Sequence, residues 1–108
     1  MNPVTHVKSF PVAHPDAGVT RQVLSDSPDL MVVSFGFEEG ARGALHSHPH
    51  VQSTYVESGR FRFEIAGEAF EVGPGDSFVI PSAAEHRCEC LDAGRLIDTF
   101  TPRRDDFL

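Results

Sequence analysis

Tryptophan is absent from the 108 residues, tyrosine occurs only as Tyr55, and positive charge is scarce. Nine lysines and arginines face sixteen aspartates and glutamates, for a formal net charge of −7. A phosphate-backbone partner requires clustered cations, and an anionic membrane surface does too, so this balance argues against nucleic acid and against membrane docking. No apolar run is long enough to span a bilayer, and Met1 to Pro11 lacks the hydrophobic core of a signal peptide. The expected location is therefore the cytoplasm. The two cysteines, Cys88 and Cys90, are too close for an unstrained disulfide in extended chain and wrongly spaced for a zinc knuckle. Reduced thiols packed as small apolar groups are the expectation. A small anionic substrate stays open, because a metal and two or three arginines can reverse the potential inside a pocket.

What is present is a core of ordinary size, 40% apolar, with nine phenylalanines. Several of them alternate with polar residues. Phe61, Phe63 and Ile65 share one parity against Arg60, Arg62 and Glu64, and Met31, Val33, Phe35 and Phe37 repeat the pattern upstream. Period two marks half-buried strands. Glycine and proline punctuate the chain at 26–29, 38–40, 57–59, 66–68, 73–76 and 92–94, all read as turns, leaving segments of five to eight residues. No segment carries a helical period. The fold class is all-β, a sandwich or barrel in one domain. The first twenty residues, with Pro3, Pro11 and Pro15, are expected to form an extended arm or edge strand.

Three of the six histidines lie within His46-Ser47-His48-Pro49-His50. Read as strand, His46 and His48 share a face, and Gln52 has the same parity. His86 comes later, after Ser82-Ala83-Ala84-Glu85. Three imidazoles and an amide oxygen suit zinc, nickel, iron or manganese and leave positions open for a substrate. The competing reading of His-x-His is an exposed polar strand. Spacing favours the metal. Gly40, His46, His48, Gln52 and Gly59 resemble the first cupin motif, and Gly75, Pro81 and His86 the second. The resemblance implies a cupin double-stranded β-helix, a jelly-roll barrel, over residues 21–108, with one divalent ion on His46, His48, Gln52 and His86. His50 falls outside that spacing and is expected beside the site or in solvent. Gln52 stands where the motif has glutamate, Ala83 replaces a glycine and Cys90 an asparagine. A neutral ligand set leaves the full +2 on the ion, which favours an anionic oxygen ligand over redox oxygen chemistry.

Near the C-terminus, Asp98 interrupts an apolar strand, and a carboxylate there is costly unless paired or facing a polar cavity. A structural Asp98–Arg104 pair with Phe100 in the core is the plain alternative. The run from Arg21 to Leu108 resembles the pectin degradation protein family, small cupins that open the ring of unsaturated uronates. The resemblance rests on His-Ser-His-Pro-His-x-Gln-x-x-Tyr-Val at 46–56, Gly-Arg-Phe-x-Phe at 59–63, Gly-Asp-Ser-Phe-x-Ile-Pro at 75–81, and Asp98-x-Phe100-x-Pro102-x-Arg104-x-Asp106-Phe107-Leu108. It implies Asp98, Phe100 and Arg104 at the substrate, a small anionic sugar from pectin or alginate breakdown, and a homodimer. Asp98 would serve as acid/base, Phe100 as a pocket wall, and Arg104 would grip a carboxylate or keep Asp98 ionised. Arg21 is a weaker candidate for carboxylate binding, and a solvated strand position is the expectation for it. An Fe(II) dioxygenase and a non-catalytic sugar-acid binding module are the rival readings.

Overall fold

The structure is a computed structural model that describes residues 3–108. Eight strands follow one another: β1 (Ala13–Asp16), β2 (Val19–Ser27), β3 (Leu30–Phe37), β4 (Arg42–His46), β5 (Val51–Ile65), β6 (Glu68–Val72), β7 (Ser77–Ile80) and β8 (His86–Thr101). A 3₁₀ turn at Asp105–Phe107 closes the chain. Every pairing is antiparallel, in the order β1-β2-β3-β8-β5-β6, with β4 on β8 and β7 on β5. The all-β expectation holds. β1 is an edge strand, and β2 runs across residues 20 and 21, where the sequence placed the end of the arm.

Two of the expected turns are not turns. Residues 57–59 and 92–94 lie inside β5 and β8, strands of 15 and 16 residues rather than five to eight. The glycines there permit a shared bend. Gly59 has φ +80°, and a Cβ on it would lie 2.5 Å from the Asp92 carbonyl oxygen, while one on Gly94 would overlap the Ser58 carbonyl. Pairing between the two strands shifts register between Val56 and Phe61, which lets both strands kink together.

The bend divides each long strand between two layers. The first half of β5 and the second half of β8 join β3 and β7; the remaining halves join β4 and β6. Between the layers Val19, Phe37, Val56, Phe61, Phe63 and Leu96 form one buried cluster. Phe61 is fully buried and meets the Phe37 ring edge-on at 5.3 Å. Met31, Val33, Val23 and Phe100 form a second cluster, against which Phe10 and Phe107 pack. The expected inward parity of Phe61 and Phe63, and of Met31, Val33 and Phe37, is what is found.

The bend also decides where chemistry can occur. His86 begins β8 and Phe100 nearly ends it, yet both line one cavity.

Candidate metal centre

His46 and His86 are opposed across the β4–β8 ladder, with ring centroids 4.2 Å apart. His48 lies outside any strand, because β4 ends at His46 and the chain turns through Pro49 and His50 before β5. Strand parity therefore does not bring His46 and His48 together; the turn does, with centroids 5.7 Å apart. One ligand atom from each of His46, His48 and His86 falls within 4.8 Å of the others. Gln52 enters from the opposite layer, on β5, where it is buried and opposed to Phe100.

Backbone carbonyls orient the three rings. His46 Nδ1 is 2.7 Å from the Ala44 carbonyl, His48 Nδ1 3.1 Å from that of His50, and His86 Nδ1 3.0 Å from that of Ala84. A carbonyl only accepts, so these contacts place the ring proton on Nδ1 and leave each Nε2 with a free lone pair. Burial pushes the His86 pKa down to about 4, and burial followed by the nearby Arg104 charge lowers that of His48. Neutral imidazoles are the state that binds metals.

One contact tests the fit of a cation directly. His48 Nε2 faces Gln52 Oε1 at 3.0 Å. With the His48 proton on Nδ1, both are acceptors and neither has a hydrogen to share. A cation on the lone pairs of both resolves that opposition. The donor set, three imidazole nitrogens and one amide oxygen, fits a borderline divalent ion.

Gln52 does not stand alone. Its amide Nε2 donates to Thr54 Oγ1 at 3.0 Å, and the Thr54 hydroxyl donates to Asp98 Oδ1 at 2.6 Å. Asp98 occupies an inward position on β8 between Val33 and Thr54, and is only 5% exposed. Burial pushes its carboxyl up to about 7, against the opposing hydrogen bonds from Thr54 and Gln52 and the charge of Arg104. The plain alternative of an Asp98–Arg104 ion pair is not formed. Arg104 instead makes a two-pronged contact with Asp106, at 3.0 and 2.9 Å, and its guanidinium lies 5.2 Å from the Phe100 centroid and 4.2 Å from that of Phe107.

These groups share a cavity of about 300 Å³, lined by His46, Gln52, His86, Asp98, Phe100 and Arg104 among others. Phe100 is buried, with its ring centroid 5.7 Å from that of His48. His50 is half-buried beside the site. Its carbonyl orients His48, and its Nε2 donates to the Arg103 carbonyl at 3.1 Å. Cys90 is in the core and Cys88 packs against it, both as free thiols. Thr54 was not singled out in the sequence. Its signal was parity: it follows Gln52 by two residues on the inward face of β5, a polar group ahead of buried Val56. Arg21 was expected in solvent but is half-buried and lines the cavity, its guanidinium 4.1 Å from the Phe107 centroid.

Comparison with known proteins agrees with this architecture. Residues 33–100 match the family described as Cupin domain. The chain is 40% identical over 93 residues to pectin degradation protein KdgF of Dickeya dadantii (strain 3937), covering 84% of each protein. Among solved structures it is similar to KdgF from Halomonas sp., at 35% identity and TM-score 0.91 with both chains fully covered. It is also similar to an RmlC-like cupin from Shewanella frigidimarina NCIMB 400, at 34% identity and TM-score 0.92, covering 100% of this chain and 97% of that one. Among the described residues no helix is long and apolar enough to cross a membrane.

Proposed function

This chain belongs to the cupin family, among its pectin degradation proteins, and on that footing we propose that it opens the ring of 4,5-unsaturated uronate monosaccharides to the open-chain keto-aldehyde acid. The observation that carries the reading is the chain of contacts from His48 through Gln52 and Thr54 to Asp98, which joins a metal-ready histidine cluster to a buried carboxylate inside one cavity.

In such a sugar a C4=C5 double bond adjoins the ring oxygen and the C6 carboxylate. Ring opening frees an aldehyde at C1 and an enol at C5, which becomes a ketone when C4 gains a proton. The costly feature is negative charge developing on oxygen beside a carboxylate. A divalent ion held by His46, His48, His86 and Gln52 Oε1 supplies the Lewis acidity that stabilises such charge. Asp98 is the acid/base that moves a proton between the C1 hydroxyl and the opening sugar. The Thr54 hydroxyl holds one oxygen of that carboxyl and so fixes its orientation. Phe100 walls the cavity against the sugar ring. Arg104, held by Asp106, keeps positive charge in the cavity wall and favours ionised Asp98.

The test follows the ultraviolet absorbance of unsaturated galacturonate with metal-loaded protein, stripped protein and no protein. Faster loss of the double bond only with metal present supports the reading. Asp98→Asn is then expected to keep its metal but lose most turnover. Three equal rates with metal still bound overturn the substrate assignment, and oxygen uptake with Fe(II) becomes the assay for the dioxygenase alternative.

A cytoplasmic homodimer belongs to the same proposal. Val51, Tyr55 and Val79 are exposed on β5 and β7, an apolar strip that pairing of two copies would cover. A monomer in light scattering would contradict it.

A further inference from the structure

Three arginines line the cavity, and their partners differ. Arg87 is paired with Glu64, at 2.8 Å from Nε and 2.7 Å from the terminal nitrogen. Arg104 has its fork occupied by Asp106. Arg21 has no carboxylate or carbonyl within hydrogen-bonding distance among the described residues, and its one close partner is the Phe107 ring, 4.1 Å below the guanidinium carbon. Phe107 is itself held, edge-on to Phe100 at 5.7 Å and to Phe35 at 6.1 Å.

We propose that Arg21, resting on Phe107, receives the carboxylate of the ligand that occupies this cavity. A ring contact fixes the plane of a guanidinium but satisfies none of its five N–H donors, which lie in that plane. A half-buried guanidinium with unsatisfied donors facing a cavity is a carboxylate receptor in waiting, because the planar fork matches a carboxylate edge. Asp106 already holds two of the five Arg104 donors, on Nε and Nη2, whereas none of the Arg21 donors is engaged among the described residues. Burial lowers the Arg21 pKa only from its very high ordinary value, opposed by the nearby Asp106 charge, so the group stays cationic. The assignment deepens the ring-opening reading and rests on it for the identity of the ligand, not for the presence of a carboxylate site.

The experiment titrates the full-length metal-loaded protein calorimetrically with saturated galacturonate, which lacks the double bond and cannot react, and with its neutral methyl ester. Wild type is expected to prefer the acid by about tenfold or more, the scale of a charge-assisted hydrogen bond. Arg21→Gln should erase that preference, and Arg21→Lys should restore part of it; urea unfolding of each variant confirms an intact fold. An unchanged preference in Arg21→Gln, or no preference in wild type, overturns the proposal. If wild type turns over unsaturated galacturonate and Arg21→Gln does so with the same KM, the clamp falls and the ring-opening reading stands. If wild type shows no turnover but Arg21→Gln erases the acid preference, the clamp stands and the ring-opening reading falls.

Discussion

Thr54 and Asp98 are directly opposed on β5 and β8, and the Thr54 hydroxyl donates to Asp98 Oδ1 at 2.6 Å while accepting the Gln52 amide at 3.0 Å. One hydroxyl therefore orients both a candidate metal ligand and the candidate acid/base. Replacing it with an isosteric methyl, Thr54→Val, leaves the Gln52 amide without its acceptor and Asp98 without its donor. Metal affinity is expected to fall about tenfold to hundredfold, the usual cost of removing a partner that orients a ligand. Thr54→Ser should stay near wild type. Competition with a chelating dye measures both.

Metal binding and folding are linked in the way any ligand of the native state is. Adding zinc, nickel or manganese to stripped protein at a hundred times its Kd is expected to stabilise the fold by roughly 2.7 kcal/mol. His86→Ala removes an imidazole that is buried and opposed to His46, and should abolish the increment in Tm. Equal Tm values with and without metal in wild type would contradict the site.

Asp98's contribution to the stability of the metal-free protein should fall as pH rises from about 4 to 7, while the lowered pKa values of His86 and His48 act in the opposite direction. The sign follows from Asp98. Burial raises its folded pKa to about 7, above the ordinary carboxyl range of the unfolded chain, so the folded state binds the proton more tightly. That contribution is complete below the unfolded pKa and lost as pH climbs through the folded one. Its size is on the order of a few kcal/mol. Asp98→Asn cannot titrate, so the difference in urea midpoint between variant and wild type should favour the variant increasingly across this range. A constant difference would show that Asp98 titrates normally.

Ala83 occupies the position where the second cupin motif has glycine, and its φ is +64°. Left-handed backbone costs an L-residue about 1–2 kcal/mol, of which glycine's extra freedom in the unfolded chain takes back about 0.4–1. Ala83→Gly should therefore stabilise by roughly 0.5–1 kcal/mol, read as a higher urea midpoint, and Ala83→Val should destabilise.

Much of this molecule was legible from one dimension. Alternation at Phe61, Phe63 and Met31 to Phe37 reports a half-buried strand because side chains on extended backbone alternate in direction, whatever they pack against. Three histidines crowd into residues 46–50, and the resemblance of their spacing and that of His86 to the two cupin motifs singled out His46, His48 and His86. Asp98 was conspicuous because a carboxylate in an apolar strand needs a reason.

Other features depended on where distant strands meet. The glycines at 59 and 94 read as turns because each is a local breaker, yet each lies opposite the other strand, and only their mutual approach turns two expected hairpins into two bent strands. His46 and His48 were paired by a strand parity that ends at His46; the turn through Pro49 and His50 joins them instead. Thr54 gains its importance from Asp98, 44 residues away. Arg21 and Arg104 both meet Phe107, but their roles separate only because Asp106 reaches Arg104 and leaves Arg21 with the ring alone. Sequence determined which groups were available, since periodicity and residue chemistry are local; the tertiary structure decided which donor reached which acceptor, since that depends on ångström-scale distances between strands far apart in the chain.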